Sequence, residues 1–151
     1  MYKKILFGTC LTEYCDHIFN FALNLAKEYD AKLWIYHGLG RMNISAENVI
    51  EAVNKAEARA KELYVDRMKN QGFTNYVINV SDGDVVSEIS KLARNATVDL
   101  LVMGTSTEVP IAMGESIGGG TLGPTIAETI LWSPCPVLVV PPALIPGLTR
   151  G

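Results

Sequence analysis

Glycines 114, 118, 119, 120 and 123 crowd into one short stretch together with Ser116, Thr121 and Thr125, and the stretch runs straight into the apolar helical segment TIAETILW. These residue types in this order suit an anion. A helix start offers unpaired backbone N–H groups and the positive end of the helix dipole, and glycines let a phosphate approach the backbone closely. The hydroxyls of Ser116, Thr121 and Thr125 could add hydrogen bonds. The same residues would equally make a plain loop in which Gly123-Pro124 caps the helix, since proline suits the first helical position. The stretch is not a P-loop, because it lacks the Gly-Lys-Ser/Thr ending, and no G-x-G-x-x-G follows the first strand.

Other side chains capable of chemistry are few. Cys10 stands just past the first strand, where a thiol could meet a ligand or an oxidant and where a helix start could lower its pKa, although an inert, partly buried thiol is the commoner outcome. Cys135 lies between two prolines and reads as structural. His17 and His37 fall in no Ser/His/Asp or Cys/His pattern. Asp82, Asp84 and Glu115 could hold a magnesium ion near phosphates, against helix capping for Asp84 and solvation for Glu115. No residue set supports efficient catalysis.

What must position these groups is an alternation of strands and helices. Residues 98–103 and 137–140 are almost unbroken apolar runs, as expected of strands buried on both faces of a parallel sheet. Residues 4–7, 32–37 and 76–80 supply three more strands. Between them lie a helix over residues 12–29 with Tyr14, Ile18, Phe21, Leu25 and Tyr29 on its inner stripe, and another over 45–70 with Val49, Val53, Ala56, Ala60 and Leu63 inward. A third begins after Ser81 to Asp84 and carries Val85, Ile89, Leu92 and Ala93; a last one covers 125–132. Right-handed crossovers then give an α/β doubly wound, five-stranded parallel sheet of order 3-2-1-4-5 with helices on both faces. Its switch point lies between the first and fourth strands, so Gly8-Thr9-Cys10 and Gly104-Thr105-Ser106 face one crevice.

Composition bounds the function. A chain of 151 residues, 48% hydrophobic and 19% charged, makes one globular domain, expected over residues 1–142 with a tail at 143–151. A formal net charge of -3 argues against nucleic acid as the main partner. The first apolar run is only as long as a strand, so neither secretion nor membrane insertion is expected. Three cysteines with no CxxC pair and no metal-ligand spacing suit a reducing cytosol, and the expected location is cytoplasmic.

The opening MYKKILFGT, the strand ending in His37, the turn SDGD, VDLLVMGT, IAETIL and SPCPVLVVP occur in an order that resembles the universal stress proteins over almost the whole chain. The resemblance implies a regulatory module of the stress response and a soluble homodimer paired through the last strands, here Val137 to Val140, with a protein partner not named by the sequence. In one branch of the family it implies an ATP or AMP site at the switch point, with Mg2+ a possible companion. That branch carries G-x2-G-x9-G-[S/T] after the fourth strand. Here Gly104 matches its first glycine, Thr107 stands at its second, and either Gly123-Pro124-Thr125 or Gly120-Thr121 matches its end. Carried over by position, Gly104, Thr125 and Ile126 would meet the phosphates, and Thr9, Gly38 and Met103 the base and sugar. Cys10 occupies the place of the acidic residue expected near the nucleoside and offers no carboxylate to the ribose. A dimeric relative that binds no nucleotide, and a slow ATP hydrolase using Glu115 or Ser116, are the alternative readings.

Overall fold

Apolar runs too short for helices and too continuous for one-sided strands line up side by side. In the computed structural model, which describes residues 1–105, 116–117, 123–142 and 149–150, strands β1 (Lys4–Gly8), β2 (Lys32–Gly38), β3 (Tyr76–Ser81) and β4 (Leu100–Gly104) are followed by β5 (Ser116–Ile117), β6 (Val137–Val140) and β7 (Thr149–Arg150). Five of them form one sheet of order β3-β2-β1-β4-β6, all neighbours parallel, as the alternation predicts. β5 and β7 pair separately in parallel.

Helices α1 (Glu13–Tyr29), α2 (Ala46–Asn70), α3 (Val85–Asn95) and α4 (Pro124–Trp132) connect the strands. Side chains alternate across each strand, and two cores result. Ile5 and Phe7 of β1 and Leu100 and Val102 of β4 pack with α1 and α2. Leu6, Leu101 and Met103 point the other way and pack with Ile89 and Ala93 of α3 and Ile126 of α4. Phe19 and Tyr64 bind the first core together, with ring centroids 4.4 Å apart.

The helix faces depart from the predicted stripes. On α1 the buried residues are Tyr14, Cys15, Ile18, Phe19, Ala22, Leu23 and Ala26, whereas Phe21 and Tyr29 are each 37% exposed. A helix lying flat on a sheet buries two adjacent rows, and the small Ala22 and Ala26 belong to the buried ones. On α2 the buried positions are Ala56, Ala60, Tyr64 and Met68, so the contact covers only its second half; Val49, Val53 and Leu63 remain partly exposed. On α3 Val86 and Ser90 are buried beside Ile89 and Ala93, while Val85 and Leu92 are only partly so. Gly72, at φ +69°, ends α2 in the left-handed region that favours glycine.

Candidate functional site

The switch point is built from strand ends. β1 and β4 are neighbours that end together, on Gly8 and Gly104, and a cavity of about 140 Å³ opens beyond them. Gly8, Thr9 and Cys10 line it from β1, Tyr36, His37 and Gly38 from β2, Val85 and Ile89 from α3, Met103 from β4 and Thr125 from α4. Two of its glycines are there for space. A Cβ on Gly38 would lie 2.9 Å from both the Tyr36 hydroxyl and Val85, and one on Gly8 would press Ile89 at 3.1 Å and Met103 at 3.2 Å.

Thr9 is held by its neighbours rather than offered to a ligand. Its N–H donates to the Tyr36 carbonyl at 2.9 Å, and its hydroxyl lies 2.6 Å from that of Tyr64 and accepts from the Leu11 N–H at 3.0 Å. Burial pushes the Tyr64 phenol up to about 12, against the opposing hydrogen bond with Thr9, so it stays a neutral partner. The Thr9 carbonyl accepts from Nδ1 of His37 at 2.7 Å. A carbonyl cannot donate, so Nδ1 carries a proton, and the neutral ring keeps Nε2 as its acceptor. Tyr36 reaches Ser81 at 2.8 Å, and burial raises its phenol pKa despite that contact. The backbone at Leu11 has φ +61°, a left-handed turn taken by a residue with a side chain.

Two helices begin beside this cavity and differ in how they are capped. Asp84 caps α3, accepting from the Ser87 N–H at 3.0 Å and the Ser87 hydroxyl at 2.8 Å, and these bonds hold its carboxyl below the usual aspartate value. α4 has Gly123 at its cap position, Pro124 in its first turn and no side-chain cap. Gly123 is tied back by its N–H to the Thr105 carbonyl at 2.9 Å, and its own carbonyl accepts from Ala127 at 3.0 Å. Among the described residues, no side chain caps the N–H groups of Thr125 and Ile126. A second cavity of about 330 Å³ shares Val85 and Thr125 with the first and adds Gly40, Arg41, Asp84, Val86, Pro124 and Glu128. The two together lead from the strand ends to the start of α4.

Of the residues expected at a ligand, Thr9, Cys10, Gly38, Met103 and Thr125 meet around the first cavity, and Gly123 stands at the cap of α4. Gly104 does not join them. Strand alternation turns it toward α1, where a Cβ would lie 2.5 Å from Tyr14 and 2.6 Å from Ile18, so its smallness serves packing on the opposite face. Ile126 likewise puts its side chain in the core at 1% exposure, leaving only its backbone to the helix start. Thr107, Gly120 and Thr121 lie outside the described residues, as does Glu115. Cys10 is not an isolated thiol: its sulfur meets that of Cys15, with Cα atoms 6.2 Å apart. Cys135 is free and half-buried, and burial pushes its thiol up. Sequence reading passed over Arg41, for which no motif spoke, and gave Ile89 and Val85 only a core role.

The profile of the Universal stress protein family matches residues 1–141. A curated protein of Staphylococcus haemolyticus, named as a universal stress protein, is 30% identical over 152 residues, covering 96% of this chain and 88% of its own. The universal stress protein UspA from Lactobacillus plantarum superimposes with a TM-score of 0.71 at 22% identity, over 92% of this chain and 97% of that one. The universal stress protein of Archaeoglobus fulgidus in complex with dAMP does so with a TM-score of 0.59 at 14% identity, over 91% and 97%.

Proposed function

The chain belongs to the universal stress protein family, and we propose that it is a regulatory module that binds an adenine nucleotide, ATP or AMP, at the switch point. The observation that carries this reading is the pair of joined cavities leading to the uncapped start of α4. Val85, Ile89 and Met103 give the first cavity apolar walls suited to a purine, and the His37 ring adds a polar edge that can meet the base. Phosphates then reach the free N–H groups of Thr125 and Ile126, with Arg41 beside the second cavity supplying charge. A magnesium ion would arrive on the phosphates. The dAMP bound in the Archaeoglobus fulgidus relative supports the ligand class. The ribose is the weak point of the fit, because Cys10 has no carboxylate with which to accept its hydroxyls.

Calorimetric titration of nucleotide-stripped protein with ATP and magnesium, with AMP, and with GTP as control tests the reading. Micromolar binding of ATP or AMP that GTP does not share is expected. No heat and no thermal shift at millimolar nucleotide would leave a dimeric interaction protein as the function. That second reading is favoured by one observation: among the described strands β6 pairs with β4 alone, leaving a Val-Leu-Val-Val edge whose first three residues are half-buried. Pairing of Val137–Val140 with a second copy would cover that edge. Val139→Lys should then give a monomer in analytical ultracentrifugation, with circular dichroism unchanged.

A further inference from the structure

Cys10 and Cys15 stand on either side of the turn that joins β1 to α1. Cys10 lines the switch-point cavity, and Cys15 sits in the first turn of α1, 1% exposed. Their Cα atoms are 6.2 Å apart, inside the range of roughly 4.4–6.8 Å that a disulfide spans without moving the backbone. Polar groups surround both sulfurs. The Cys10 N–H donates to Cys15 Sγ at 3.1 Å, and Cys15 lies at the positive end of the α1 dipole. The Thr12 hydroxyl stands at the cap position of α1 without capping it; instead it meets Cys10 Sγ at 2.8 Å.

From this geometry we propose that Cys10 and Cys15 form a reversible thiol–disulfide site whose reactant is a low-molecular-weight disulfide admitted through the cavity. Cys10 is the entry sulfur, because it alone of the pair faces the cavity. Its thiolate attacks one sulfur of the small disulfide; the S–S bond of the reactant breaks, a mixed disulfide forms on Cys10, and a thiolate leaves. Cys15 then attacks the Cys10 sulfur, closing the internal bond and expelling the second thiolate. Two electrons pass from the two cysteines to the reactant, and the two cysteine protons end on the two released thiols. The closed ring encloses only Leu11 to Tyr14 between its cysteines, so the chain-entropy gain is at the small end for a disulfide. Its effect is local: it fixes the turn at Leu11 and withdraws a thiol from the cavity wall.

The test uses the full chain, reduced and then equilibrated without oxygen across a series of reduced-to-oxidised glutathione ratios. The samples are acid-quenched, alkylated and weighed intact by mass spectrometry. Wild type should pass from three alkylated thiols to one as the buffer becomes oxidising, reversibly and without a retained glutathione. Peptide mapping should place the bond between Cys10 and Cys15. Cys15→Ser should instead accumulate a single glutathione on Cys10, because the resolving sulfur is gone. Three alkylated thiols throughout, or a bond made with Cys135, would overturn the proposal on wild type alone, so the result does not depend on whether the variant folds.

Discussion

α3 and α4 both begin at the rim of the switch-point cavities, one supplied with its own anion and the other, among the described residues, with none. The Asp84 carboxylate occupies the start of α3, taking up a free N–H and offsetting the positive end of that dipole. At α4 the corresponding place is held by Gly123, which brings neither carboxylate nor hydroxyl. On the proposed reading, an incoming phosphate would go to the start of α4 rather than to that of α3. The contrast also explains why Asp84, which could have been read as a magnesium ligand, is a helix cap here.

The comparison is broken most directly by giving α4 what α3 has. In Gly123→Asp the new carboxylate would cap α4 and repel phosphate, so nucleotide affinity should fall at least about tenfold, or ~1.4 kcal/mol. The backbone at Gly123, φ -58° and ψ 153°, is open to any residue, so the fold should survive. Calorimetry with circular dichroism checks both; unchanged affinity would remove α4 as the phosphate site. Gly104→Ala sharpens the point from the other end of the loop. Its methyl would press on Tyr14 and Ile18, which should cost about 1–3 kcal/mol of stability in urea unfolding, as overpacking does, with little change in affinity per folded molecule. Arg41→Gln should weaken ATP several-fold, on the order of 1 kcal/mol, and AMP less, because it removes charge from the outer cavity only.

The smallest effect concerns α3 itself. Its Ser87 hydrogen bonds lower the folded-state pKa of Asp84 below the ordinary 3.8. A depressed carboxyl contributes stability that is present above the unfolded value and lost as pH falls through the folded one. Asp84→Asn should therefore flatten the acid side of the stability–pH curve below about pH 4 and, by taking a carboxylate from the wall of the second cavity, raise rather than lower nucleotide affinity at neutral pH. A steep acid limb that persists in the variant would assign it to other carboxylates.

The strands and their order were legible because two-sided burial writes unbroken apolar runs, as in Leu100–Gly104, and because glycines mark where β1, β2 and β4 stop. Helix faces were only partly legible. Ala22 and Ala26 carry little hydrophobic signal yet are fully buried, while the larger Phe21 and Tyr29 were assigned inward and are each partly exposed. At the site, position after a strand marked Thr9 and Cys10, and the family resemblance marked Gly38 and Met103, but neither could tell which side of the strand a residue faces. That is why the packing of Tyr14 and Ile18 over Gly104 was not foreseen. The Cys10 and Cys15 pairing has no periodic signature, since it depends on a single left-handed residue, Leu11, folding the chain back.

Tyr14 has a consequence of its own for hydrogen exchange. Its hydroxyl donates to the Val140 carbonyl at 2.6 Å and accepts from the Thr105 N–H at 3.1 Å, so the amide just past β4 is shielded by a side chain of α1. The Thr105 proton should then exchange with solvent at the opening rate of the first turn of α1, not of the strand it follows. Cys15 is the next residue along that turn, so one deuterium-uptake curve at position 105 reports on the ends of two strands and on the footing of the neighbouring sulfur.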